Sequence, residues 1–184
     1  MHSGNLHHSL VCVGWTLIFS LSINCGVGNR QLDWSEVDRL IQNDHPDVPS
    51  VTTAELVDAL ASGRHILLLD VREAAEFAVS HLPGAQRVTS TASASVVLEH
   101  ATPDTLVVAY CSVGYRSAAF VKELHEQGVT NAVNLDGSLF AWANAGLPVY
   151  RGELEVNEVH PFDDTWGILL NRDLWTFEPT IAQP

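Results

Sequence analysis

The chain has 184 residues, 46% of them hydrophobic and 17% charged, a balance typical of one ordinary globular domain with short extensions. Nine Lys and Arg stand against 22 Asp and Glu, a net charge of −13. That argues against nucleic acid or an anionic membrane surface as the principal partner, since both require a basic footprint. There are three cysteines and no Cys-x-x-Cys pair, which removes a zinc knuckle and a thioredoxin-type motif. The nine histidines fall without ligand-like spacing, so no metal site is expected.

Residues 10–23 form an uncharged, largely apolar run. It is short for a membrane span, which needs ~20 apolar residues, and has the length of a signal-peptide core. A signal peptide over residues 1–28 is therefore expected, with an exported, periplasmic or extracellular, product. An uncleaved anchor or a cytoplasmic chain are the alternatives, because residues 1–9 carry no Lys or Arg. Residues 29–49 read as a short helix and a linker. Asp33 and Glu36 make a capping pair, Trp34, Val37, Leu40 and Ile41 share a face, and a stretch ending in Pro49 breaks the helix.

From 50 to 150 the hydrophobic period alternates. A helix is predicted over 53–62, with Leu56, Ala59 and Leu60 inward and Gly63 as its stop. Continuous apolar runs at 65–70 and 105–110 have the signature of buried parallel strands, and 132–135 is a third. Between them, helices are expected at 74–80, within 90–99, at 116–127 with Ala119, Phe120 and Leu124 inward, and at 138–145. Strands alternating with helices imply an α/β, mostly parallel sheet, with ligands at the carboxyl ends of its strands.

Cys111 is the one cysteine of this region, so no internal disulfide can form there. It follows the strand at 105–110 and precedes the helix that starts near Arg116. Gly114 allows a tight loop whose N–H groups turn inward as an anion nest, and the helix N-terminus adds partial positive charge. Both favour thiolate over thiol. A buried structural cysteine is the plain alternative; Gly114 and Arg116 at these spacings weigh against it.

Asp70-Val71-Arg72-Glu73-x-x-Glu76-Phe77, followed by His81-Leu82-Pro83-Gly84-Ala85, is similar to the paired motifs of the rhodanese family. Cys111-Ser112-Val113-Gly114-Tyr115-Arg116 resembles its Cys-x4-Arg active loop, and Leu135-Asp136-Gly137 with Trp142 and Gly146-Leu147-Pro148 resembles its closing strand and helix. The resemblance covers residues 50–150. It implies a five-stranded parallel sheet flanked by helices, a persulfide carried on Cys111, substrate contacts from Ser112, Val113, Gly114, Tyr115 and Arg116, and no cofactor. It also implies a sulfane-sulfur donor such as thiosulfate and a thiophilic acceptor, cyanide or a thiol, with a protein acceptor as a further option. Ser112 occupies a position where many thiosulfate-using members carry a basic residue.

Asp70 and Arg72 are expected to support the loop, Asp70 through Arg116, and Arg72 to form an i,i+4 ion pair with Glu76 rather than a substrate contact. His81 and Pro83 are expected to fix a turn, and Trp142 to be core. Arg116 is left with two readings, donor binding or loop support. A phosphatase of related fold would need Cys-x5-Arg, where this chain has Ser117. A non-catalytic rhodanese-like binding or regulatory module is the alternative function. Residues 151–184 hold Phe162, Trp166, Leu169, Leu170 and Trp175, too apolar for a free tail; packing on the domain is expected over a partner-binding segment.

Overall fold

The computed structural model describes residues 32–179. The expected signal peptide, with Cys12 and Cys25, lies outside the described residues. Among those described, no helix is long and apolar enough to cross a membrane.

Five parallel strands form one sheet in the order β1 (Ser50–Val51), β5 (Ala132–Leu135), β4 (Leu106–Tyr110), β2 (Ile66–Asp70), β3 (Gln86–Arg87). The strands are joined by helices α2 (Thr53–Ala61), α3 (Ala74–Val79), α4 (Ala94–Leu98) and α5 (Tyr115–Glu126), since a parallel pair needs a crossover. Helix α6 (Ser138–Asn144) follows β5, and α1 (Trp34–Asp44) precedes β1. Asp33 caps α1 by accepting from the Glu36 N–H at 3.0 Å, the pair expected from sequence.

The apolar runs of β2 and β4 are buried because both sheet faces are covered. Leu68, Val108 and Tyr110 pack with Leu56 of α2 and Leu139, Phe140 and Trp142 of α6. Leu67, Leu69, Val107 and Ala109 pack on the other face with Val97 of α4 and Phe120, Val121 and Leu124 of α5. The helix-face expectations need two corrections. Leu60 is exposed rather than inward, because α2 turns Leu56 alone fully into the core. Ala119 is half-buried; Ala118 and Val121 take the inward positions beside Phe120 and Leu124.

Beyond the sheet lies an antiparallel hairpin, β6 (Val149–Arg151) with β7 (Leu154–Val156). His81 exchanges both backbone bonds with Tyr150 at 2.8 Å, so the His81–Pro83 segment is clamped to the hairpin. The chain then folds back along α6. Asn144 donates to the Leu169 carbonyl at 2.7 Å and accepts from the Asn171 N–H at 2.8 Å, and Val159, Leu169 and Leu170 join the α6-side core.

Candidate active site

Strand β4 ends at Tyr110, and the next residue, Cys111, is 1% exposed. Gly114 has φ +107°, a conformation that favours glycine, and the turn it makes aims its N–H at Cys111 Sγ, 3.2 Å away. From behind, the N-terminus of α6 holds the loop. The Leu139 and Phe140 N–H groups donate to the carbonyls of Cys111 and Ser112 at 3.2 and 3.0 Å, and Ser138 Oγ accepts from the Cys111 N–H at 3.1 Å. The Cys111 and Ser112 carbonyls are thus turned to α6, while the Gly114 N–H faces the sulfur.

Arg116 reaches back over this loop. It makes a bidentate pair with Glu76, Nη1 to Oε2 at 2.9 Å and Nη2 to Oε1 at 2.8 Å, and Nη2 also donates to Ser112 Oγ at 3.0 Å. Ser112 Oγ in turn donates to Glu76 Oε1 at 3.0 Å. The three side chains form one closed network around a buried carboxylate. Burial would raise the Cys111 thiol, but the Arg116 charge, the Ser117 backbone and hydroxyl, and the Gly114 N–H together lower it below the ordinary cysteine range. For Glu76, too, burial is outweighed by Arg116, and its carboxyl is held low. The site thus sets a thiol of lowered pKa and a carboxylate around one guanidinium.

The remaining expectations divide. Val113 and Tyr115 line the pocket beside Cys111, but the Tyr115 hydroxyl turns away to Asp44 Oδ2 at 2.7 Å. Asp70 does not reach Arg116. It pairs with Arg72, whose Nε and Nη2 approach it at 3.0 and 2.7 Å, and Arg72 Nη2 also donates to the Ser80 carbonyl at 2.6 Å. This buried pair braces the 80–82 segment under the sheet end, and Tyr110 Oη accepts from the Leu82 N–H at 3.1 Å above it. The expected Arg72–Glu76 helical ion pair is replaced because α3 starts only at Ala74, leaving Arg72 before the helix. Trp142 is core, its Nε1 donating to the Pro148 carbonyl at 2.9 Å. Among the described residues, no cluster of three His, Cys, Asp or Glu is placed to hold a metal ion.

Sequence reasoning missed two parts of the site. Glu76 stood in a quoted motif, but its partner lies 40 residues away, beyond local spacing rules. Phe162 and Trp166, noted only as an apolar tail, line the pocket over Cys111.

The fold is a parallel α/β domain that sets a lowered thiol between a strand end and a helix, answered by an arginine five positions on, the surroundings a cysteine nucleophile requires. The rhodanese-like domain matches residues 52–145, just over half of the chain, and the chain belongs to the rhodanese-like family. It is 36% identical over 100 residues to the "Probable adenylyltransferase/sulfurtransferase MoeZ" of Mycobacterium tuberculosis, covering 54% of this chain and 26% of that protein. A sulfurtransferase of Allochromatium vinosum is 32% identical over 106 residues, 58% of this chain and 98% of its own length. The chain thus spans about a quarter of the mycobacterial relative and nearly all of the second one. A thiosulfate sulfurtransferase structure from Pseudomonas aeruginosa shares the fold at TM-score 0.58 and 21% identity, over 73% of this chain and 26% of that one. The sulfurtransferases among its relatives point to a transferase of the rhodanese family.

Proposed function

We propose that the protein moves sulfane sulfur through a persulfide on Cys111, in the manner of a thiosulfate:cyanide sulfurtransferase. The Cys111 thiolate attacks the outer sulfur of a donor, of which thiosulfate is the simplest. A new S–S bond forms, the old one breaks, and its electron pair leaves on sulfite. Cyanide or a thiol then attacks the terminal sulfur of the persulfide, and the thiolate returns. Proton and charge balance close without oxidant, metal or cofactor.

The observation that carries this reading is the Gly114 N–H on Cys111 Sγ beside Arg116. These groups favour negative charge on the Cys111 sulfur, the form that attacks the donor and the form that leaves when the acceptor takes the outer sulfur. The short loop supports sulfur over phosphorus chemistry. A phosphoryl group presents three equatorial oxygens that each need a donor. Here the Cys111 N–H is spent on Ser138, and Arg116 on Glu76 and Ser112. The test is thiocyanate production from a sulfane-sulfur donor and cyanide. Wild type is expected to turn over and Cys111→Ser to be inactive; equal activity in both would refute the assignment.

A further inference from the structure

A pocket of about 140 Å³ opens over Cys111. One side is the loop that ends at Arg116; the other is Phe162 and Trp166, which lie past residue 145, the end of the family match. This wall therefore lies outside the matched stretch, and its side chains are not fixed by the family motifs.

The wall is held in place. Phe162 sits at φ +68°, a left-handed conformation that costs a bulky residue roughly 1–2 kcal/mol. Such strain persists where the surroundings over-determine it, and it gathers at functional sites. The Phe162 N–H donates to His160 Nδ1 at 3.0 Å, and the ring lies 4.9 Å from the Arg116 guanidinium carbon. Asp163 Oδ1 accepts from the Trp166 N–H at 2.8 Å. Gly167 packs so closely under Trp175 that a Cβ there would come within 2.6 Å of the indole. Yet Phe162 remains 40% exposed and Trp166 half-buried, so apolar surface without full cover stands beside a nucleophile.

The charge of the pocket matters as much as its walls. Arg116 is the one cation among the lining residues, and its guanidinium is already held by both Glu76 oxygens and Ser112 Oγ beside Cys111. An inorganic dianion entering here meets two negative charges against one positive and two aromatic faces. An apolar cavity of about 150 Å³ accepts a benzene ring, so the space suits a single ring or a short alkyl group.

We propose that Phe162 and Trp166 select the donor, favouring an organic sulfane-sulfur compound with one apolar group, of the thiosulfonate type R–SO₂–S⁻, over inorganic thiosulfate. The proposal rests on the sulfurtransferase reading above. In the loading step the Cys111 thiolate bonds to the terminal sulfur, the sulfonyl-to-sulfur bond breaks, and its electron pair leaves on the sulfinate R–SO₂⁻. Two negative charges enter and two remain, no proton moves, and no oxidant is needed.

The test measures second-order rates of persulfide loading by intact mass on the full chain, with benzenethiosulfonate, methanethiosulfonate and thiosulfate. Wild type, Phe162→Ala, Phe162→Leu and Trp166→Ala are compared. Taking the ratio of the two thiosulfonates cancels their common chemistry and any loss of folded protein. The benzene-over-methane ratio is expected to fall about tenfold in each alanine variant, the scale of a small change in an apolar pocket, with Phe162→Leu between. A ratio unchanged in all variants would overturn the proposal, as would wild type that loads faster from thiosulfate than from benzenethiosulfonate. No persulfide from any donor would overturn the sulfurtransferase reading with it.

Discussion

Cys111 is buried, and burial alone would raise its thiol pKa; the Arg116 charge, the Ser117 groups and the Gly114 N–H outweigh that and lower it. Positive charge favours the thiolate, so removing it must raise the thiol pKa and shift the rising limb of a pH–loading profile to higher pH. Arg116→Gln is expected to move that limb to higher pH, because an adjacent opposite charge favours the thiolate. Arg116→Lys keeps the charge without the bidentate fork and should move it less. Kinetics of persulfide loading against pH check this, and an unmoved limb in Arg116→Gln would remove Arg116 from the thiol's electrostatics. At this scale the sequence was legible where chemistry is local. Cys111, Gly114 and Arg116 share one loop, so their spacing shows them together. Glu76 was misassigned to Arg72 because a four-residue spacing means contact only inside a helix, and α3 begins after Arg72. Asp70 was expected against Arg116; the nearer Arg72 satisfies it through both carboxylate oxygens.

The loop between β4 and α5 owes its shape to one backbone angle and to the end of α6 behind it. Gly114→Ala would meet no hard clash, its Cβ standing 3.4 Å from Asn134 Nδ2 and Ile41 Cδ1, so its cost is conformational. At φ +107° that is roughly 1–2 kcal/mol, which the loop can shed only by turning the N–H off the sulfur. Persulfide loading of Gly114→Ala is therefore expected to slow, with its thiol pKa raised. Gly128, at φ +93° with nothing within 4 Å, gives the control: Gly128→Ala bears similar strain away from the site and should load as wild type does. Equal loading by all three proteins would contradict the role given to Gly114. Elements with continuous apolar runs, β2 and β4, could be read from sequence because burial on both faces leaves no polar alternation. Strand β1 and the hairpin of β6 and β7 are two or three residues long, too short for a period to show. The bracing of the loop by Ser138 was likewise hidden, since it joins positions 27 residues apart.

Over the whole molecule, the segment after the hairpin ties the site to the far side of α6. Asn144 makes both side-chain bonds to it, and losing one half-buried and one exposed hydrogen bond costs about 1–2 kcal/mol. Asn144→Ala is expected to lower Tm by several degrees and to speed hydrogen exchange most over residues 159–175. Exchange that rises evenly along the chain would show that Asn144 does not anchor this segment in particular. The apolar character of residues 161–175 was legible, but not the pocket they wall, because no sequence period reports on a contact between Phe162 and Arg116. The net charge of −13 leaves the site dependent on local donors: one guanidinium, a few N–H groups and a helix start. Whether those donors support sulfur on Cys111 is read most directly by intact mass of the full chain after treatment with thiosulfate and, separately, benzenethiosulfonate. Wild type should gain one sulfur, about 32 Da, and lose it on adding cyanide, because a persulfide is a covalent intermediate on the thiol. Cys111→Ser should gain nothing; a sulfur adduct on that variant, or none on wild type with either donor, would contradict the account.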